Sequence, residues 1–472
     1  MPALLPPAIT AALLLCIAAG CVSYPPKPLT PHAIARTLAV PDDQTIRVAA
    51  RELVHPVLKP VNLNLEQGLS PEEAGVLAVI LNPDLRAQRD RHSIAGAQVL
   101  QAGLLPNPVV TAGVDFPHGA GPADSFTAYS IGADWDVTSL ITRNARRRSA
   151  DAQAMSVDLD IAWQEWQIAE TAKTAAYDVL SLESQLQEAK AAERRLAENL
   201  AVVRRAYDQH QLALLDLSAA EAAAQEGRNL VLSQEKDLRH QRLLLNRSLG
   251  MPPDRKVDLR ARPLPSNLIV HHPQRLIAEV ETHRIDLLAL KKGYESQDQI
   301  LRAAILAQFP RINVGFNAAR DTANVKTIGV GVTFELPIFD RNQGAIAVEK
   351  ATRQMLFDEY ASRVFTARSD IATAIADIES INIQIAAAEA AIPSLERLVR
   401  TYQRALQQGN ADVLSFYTAR SALAQKRIGV LKLKQQLVEN WIAMEIASGQ
   451  YLPIESAPNA PTTRPIPKED NP

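Results

Sequence analysis

Two periodicities alternate along the chain. Apolar residues occupy every second position in four short stretches. The first two are Val110, Ala112, Val114 and Phe116, and Tyr129, Ile131, Ala133 and Trp135. The other two are Ile312, Val314 and Phe316, and Ile328, Val330, Val332 and Phe334. The intervening positions are mostly Gly, Ser, Thr, Asn and Asp. Alternation predicts strands with one apolar and one polar face. Between Asn144 and His210 no Pro or Gly interrupts the sequence, which predicts a helix on the order of 100 Å long at 1.5 Å per residue. The stretch from Asn342 to Gly409 is of nearly equal length. Along it Ile371, Ile375, Ile378, Ile385, Ala388, Ile392, Leu395, Val399, Tyr402 and Leu406 recur in threes and fours, with Asn382 in one polar slot. This spacing predicts a coiled-coil seam, and Pro393 predicts a kink or a break in it.

These elements come in two copies. Asp84, Pro108 and Gly113 match Asp286, Pro310 and Gly315 at one constant offset, and Arg143-Asn144 matches Arg341-Asn342. The stretch Tyr207–Ala220 parallels the one around Gly409 to Ala419. Each copy reads as a helix (Asp84 to Gly103; Asp286 to Gln308), a β pair, a very long helix, a turn and a returning helix. Pro108 and Pro310 mark the switch from helix to strand. The copies are expected over residues 68–252, with strands near 108–116 and 126–136, and 253–452, with strands near 310–319 and 326–336. The expected fold is mainly α with a small β part. Four strands cannot close a membrane barrel, which needs about eight, and an open edge in lipid leaves backbone groups unpaired. Strands in a membrane would therefore have to be pooled from several chains. Tyr129 and Trp135, about 20 Å apart along one strand at ~3.3 Å per residue, suit two aromatic girdles around an apolar band.

Composition narrows the classes. Alanine, leucine and charged residues dominate, aromatics make up 5% and the net charge is −2, so no global field favours nucleic acid. Residues 1–20 read as a signal peptide with an apolar core from Ala8 to Ile17, although no Lys or Arg precedes that core. Ile17-Ala18-Ala19-Gly20-Cys21 resembles a bacterial lipobox, which implies cleavage before Cys21 and its acylation. Cys16 would leave with the signal, so Cys21 would have no disulfide partner. Residues 21–67 are Pro-rich and read as an extended tether, and 453–472 as a disordered tail. No later uninterrupted apolar run is long enough for a transmembrane helix. Gly329-Val330-Gly331 lacks the features of a nucleotide loop, and no zinc-protease, Walker or nucleophile-elbow pattern occurs, so no catalysis is expected. His271, His272 and His283 do not make a ligand set, and no metal site is expected. Arg143, Arg146, Arg147 and Arg148 read as a solvated helix face or as a basic collar at the membrane edge.

Leu336-Pro337-Ile338-Phe339-Asp340-Arg341-Asn342-Gln343-Gly344 resembles the strand-to-helix signature of TolC-family outer membrane efflux proteins, nearest the CzcC-like branch of heavy-metal export. Asn82-Pro83-Asp84-Leu85, Leu104-Leu105-Pro106-Asn107-Pro108, Ile392-Pro393 and Gly409-Asn410-Ala411-Asp412 fit the same pattern in order and spacing across about residues 68–452. The resemblance implies a homotrimer with a twelve-stranded outer-membrane barrel on a periplasmic helical tunnel. It implies no cofactor beyond a lipid on Cys21. Expected partners are a periplasmic adaptor, an energised inner-membrane pump of the RND type, and outer-membrane lipid. It also implies that the helix tips, with His210, Gln211, Asp216, Gly409, Asn410 and Asp412, form the aperture or meet the adaptor. His210 stands where the family usually has glycine, and Asp136–Arg143 lacks the Leu-Pro-Phe pattern of the second copy. Asp216 and Asp412 read as rings of carboxylates that would narrow the closed end and favour cations or, with more weight, as helix caps, and both readings can hold. Two other roles stay open: a lipid-anchored periplasmic scaffold or adaptor, and a duct of the same fold for small organic molecules.

Overall fold

The computed structural model describes residues 24–118, 125–408 and 413–454. Cys21, Gly409, Asn410 and Asp412 lie outside them. The chain divides into two compact units, residues 1–42 and 43–472. In the first, helix α1 (Pro31–Leu38) begins with Pro at its first turn, and Thr30 caps it by accepting the Ala33 N–H at 3.2 Å.

The second unit opens with α2 (Asp43–Arg51), whose Ile46 and Ala50 are buried one turn apart. The expected extended tether is thus corrected: residues 21–67 contain two short helices. Pro31 sits harmlessly at the first turn of α1 and the other prolines lie outside both helices, while an i, i+4 apolar pair gives α2 a face to bury. The rest of the strap packs down as well, with Leu53 and Leu58 against Val79 and Ala169.

Helix α3 (Pro71–Leu81) starts with a reciprocal capping box. Ser70 Oγ accepts the Glu73 N–H at 3.1 Å, and Glu73 Oε2 accepts the Ser70 N–H at 2.8 Å. Helix α4 (Pro83–Gly103) is capped by Asn82. Strands β1 (Val109–Asp115) and β2 (Ala128–Asp136) follow, then α5 (Thr138–Asp208, 71 residues) and α6 (Leu214–Leu249). The second copy places α7 (Pro273–Ala278) and α8 (Val280–His283) where the first has α3, and α9 (Ile285–Leu306) where it has α4. It continues with β3 (Ile312–Arg320), β4 (Lys326–Phe334), α10 (Gln343–Gln407, 65 residues) and α11 (Val413–Ser448). Helix α5 packs on α3, α4, α6, α9 and α11, and α10 packs on α9 and α11.

The seam of α10 runs through Val364, Ala367, Ile371, Ala374, Ile378, Ile381 and Ile385, all buried in steps of three and four. Ala374 and Ile381 therefore take the positions expected for Ile375 and Asn382. Asn382 instead clamps the Leu268 backbone, donating to its carbonyl at 2.7 Å and accepting its N–H at 3.2 Å. The seam meets Leu437, Val438, Trp441 and Ile442 of α11 and Leu287 of α9 in one core cluster. Helix α10 continues through Pro393 without a break. By length and composition, a stretch within Gln343–Leu406 is apolar enough to cross a membrane, contrary to the sequence expectation. The seam residues of that helix are buried, whereas Phe357, Phe365 and Ile383 of the same helix are exposed, and 33% of the apolar stretch is buried.

Candidate channel surfaces

The four strands form one antiparallel sheet in the order β1-β2-β3-β4. Cross-strand register aligns the apolar positions of both hairpins. Val114 faces Tyr129, Ile131 faces Ala318, Ala133 faces Phe316, Trp135 faces Val314, and Phe316 faces Val330. Directly opposed residues share a face, so the two hairpins present one continuous apolar surface. Among the described residues its central side chains stay uncovered. Val110, Tyr129, Ile131, Phe316, Ile328, Val330 and Phe334 are all exposed, Val330 at 77%. Strands β1 and β4 each keep one edge unpaired within the chain.

The opposite face pairs glycine with a short polar residue. Thr111 lies across from Gly132, Ser130 from Gly113, Asp134 from Gly315 and Asn317 from Gly329. A methyl group on Gly132 would sit 2.7 Å from Thr111 Oγ1, and one on Gly315 would sit 2.4 Å from Asp134 Oδ1. The polar side chains therefore lie flat over their glycine neighbours. The carboxylates of this face are Asp115, Asp134 and Asp136, and its strand positions hold no Lys or Arg. Tyr129 stands half-exposed opposite Arg320, near one end of the sheet. Trp135, at the other end, donates its indole N–H to the Pro106 carbonyl at 2.8 Å.

At the far end of α5, His210 has φ 58°, the left-handed region that glycine adopts most easily. Its N–H bonds the Tyr207 carbonyl at 2.8 Å, and the Gln211 N–H reaches the Ala206 carbonyl at 2.8 Å. This pair of bonds is a Schellman stop, which explains why a family glycine belongs at that position. Asp216 lies at the third position of α6 and accepts the Ala213 N–H at 3.1 Å, the carboxylate half of a capping box, while the N-cap position itself is Ala213. Below both turns one apolar cluster joins the two helix pairs through Leu196, Val203, Leu217, Val399, Val413 and Phe416. Leu214, Leu215 and Leu414 remain exposed at this end.

Sequence reasoning missed a charged centre inside the helices. Lys173 of α5 is ion-paired with Glu445 of α11, and with Glu170 at 3.2 Å, all three nearly inaccessible. The ammonium also lies 5.2 Å from the Tyr451 ring centroid, and Glu445 Oε1 accepts the Leu452 N–H at 2.7 Å. Burial raises both carboxyls, that of Glu445 to about 8. Burial opposes charge on Lys173 too, but the two carboxylates outweigh it and raise its pKa. One helical turn beyond Lys173, burial and neighbouring Glu439 push Asp178 up to about 7, while Gln241 and Gln435 donate to it at 3.0 and 2.9 Å. No periodicity singles out these residues, because acidic and basic positions on an alanine-rich helix ordinarily face water. Among the described residues, no group of three or more His, Cys, Asp or Glu could hold a metal ion.

The structure thus sets an unpaired sheet with one exposed apolar side on two copies of a long helical hairpin. Residues 276–450 match the family model of the outer membrane efflux proteins. Over 187 residues it is 25% identical to the cation efflux system protein CusC of Escherichia coli O157:H7, a stretch covering 38% of this chain and 41% of that protein. The chain thus aligns with about two fifths of the length of this curated relative. The fold likeness is wider. A crystal structure of CusC superposes with TM-score 0.68 at 17% identity, covering 84% of this chain and 98% of the other. The outer-membrane channel OprN does so with TM-score 0.70 at 17% identity, covering 88% and 99%. The outer membrane protein VceC of Vibrio cholerae gives 0.68 at 16% identity, covering 80% and 96%. The stretch Leu336–Gly344, on which the efflux-family resemblance rests, lies inside the matched residues.

Proposed function

We propose that the chain is the outer-membrane exit duct of a tripartite efflux system. Three copies form a twelve-stranded barrel over a periplasmic helical tunnel and conduct cargo passively. The observation that carries this reading is the sheet, with its continuous exposed apolar side and two free edges. In the order β1-β2-β3-β4 all neighbours are antiparallel, so β4 of one copy meets β1 of the next antiparallel as well. A ring of copies then leaves no edge in lipid, where each unpaired backbone group would cost several kcal/mol. Acylation of Cys21 would anchor the chain to the same membrane. The sequence carries no Walker motif, and in this reading an inner-membrane pump, of the RND type, and a periplasmic adaptor drive and guide export.

Cations are the favoured cargo. Within the strands Asp115, Asp134 and Asp136 are the charged groups of the polar face, while Arg311 just before β3 is answered by Glu335 at 4.0 Å. Tripling the unanswered acids would give a lumen attractive to positive charge. The name of the CusC relative agrees with this choice. Small organic molecules remain the alternative cargo. The test is purification of the full chain in detergent, sizing, and conductance in planar bilayers. A trimer giving cation-selective conductance is expected. Recovery as a water-soluble monomer would overturn the duct, and anion-selective conductance would overturn the cargo assignment alone.

A further inference from the structure

The connection from β4 into α10 has two sides. Glu335, Pro337, Asp340 and Asn342 line one cavity together with Asp136 of the polar sheet face. Phe339, Arg341 and Gln343 line another, of about 550 Å³, with Gln308, Ile346 and Lys350. The two share no lining residue, and the second includes none from the polar sheet face. Its lining combines two cations with an aromatic ring and a branched apolar chain, and contains no carboxylate. Phe339 is 92% exposed. Among the described residues Arg341 and Lys350 have no ion-pair partner, whereas Arg353, one turn further on, is held by Asp298 at 2.9 Å.

Depth gives this cavity a meaning. The nine residues of β4 extend about 30 Å, which at the usual tilt spans most of an apolar band about 25 Å tall. The hydrocarbon edge then falls near Leu336 to Phe339, and the headgroup layer occupies roughly the next 5–7 Å. Arg341 lies in that layer. Lys350 lies about 10 Å down α10, and its long stem can carry the ammonium back toward the interface.

We infer that this cavity binds the phosphate of an anionic phospholipid of the periplasmic leaflet, whose acyl chains rise past Phe339 along the apolar sheet face. The inference rests on the channel reading above. The rival occupant is the next copy in the ring. Its segment entering β1, Leu104-Leu105-Pro106-Asn107-Pro108, carries no acid to answer two cations, so charge complementarity favours lipid.

The test uses the full-length assembly in detergent, titrated with phosphatidylglycerol, phosphatidylcholine or inorganic phosphate, with bound mass read by native mass spectrometry. The wild type should retain phosphatidylglycerol in clear preference to phosphatidylcholine. The Arg341→Gln/Lys350→Gln pair should lower that retention by about tenfold or more. Arg353→Gln should leave it unchanged. Equal retention by the double variant would overturn the inference. So would full competition by inorganic phosphate, which would mean an anion site without lipid. A change of subunit number in the double variant would assign the cavity to the neighbouring copy and overturn it too. A wild-type chain that fails to assemble at all would count against the channel reading itself, an outcome distinguishable from the others.

Discussion

The sheet and the α10 seam carry the same kind of residue under opposite circumstances. Ile378 in the seam is 1% exposed, whereas Val330 in the sheet is 77% exposed. Both sit in regular apolar stripes that the sequence displays openly. The difference teaches that periodicity identifies which positions avoid water but not what shields them. The seam finds its cover within the chain, in α11, α9 and the loop at Leu268. The sheet finds none there, and its cover must come from lipid or from further copies.

The largest expected effect tests the seam. Ile378→Ala should destabilise the helical part by about 2–5 kcal/mol, in detergent and in bilayers alike, measured by thermal or chemical unfolding. Loss confined to bilayers would mean that the seam is not a core. Val330→Arg should cost about 2–4 kcal/mol at mid-membrane, but only when the chain is refolded into lipid vesicles. An equal penalty outside lipid would erase the contrast between the two stripes.

The third prediction concerns pH. Unfolded, the Glu445 and Asp178 carboxyls ionise near pH 4. Folded, they hold their protons to about 8 and about 7. The folded state therefore binds more protons between roughly pH 4 and 8, and stability falls as pH rises through that window. Melting temperatures measured from pH 5 to 8.5 should decline more steeply for the wild type than for Glu445→Gln/Asp178→Asn. Parallel curves would show that burial does not perturb these groups.

The smallest effect sharpens the reading of the first helix tip. His210→Gly should stabilise the α5 end by about 1 kcal/mol, since glycine adopts its positive φ without steric cost. A loss instead would point to contacts of the imidazole ring that outweigh backbone strain.

Much of the architecture was legible from particular residues. Val110 to Val114 and Ile328 to Phe334 gave the strands, and the constant offset from Asp84 to Asp286 gave the duplication. Leu336 to Gly344 carried the family. The strap was misread because prolines at 25, 26, 28, 31 and 41 outweighed the single i, i+4 pair Ile46 and Ala50. The seam slipped by one position at Ile375 because isoleucine drew more weight than the smaller Ala374, although a close helix crossing favours the smaller residue.

By itself, then, the chain of residues determined the local elements, their doubling and the faces that shun water, because backbone periods of two and about three and a half translate directly into spacing along a sequence. Tertiary structure decided the rest. It set Lys173 between Glu170 and Glu445, turned Asn382 to the Leu268 backbone, and aligned two hairpins distant in sequence into one apolar sheet. Those outcomes depend on which helices and strands meet, and partners that far apart along the chain leave no periodic trace in either segment alone.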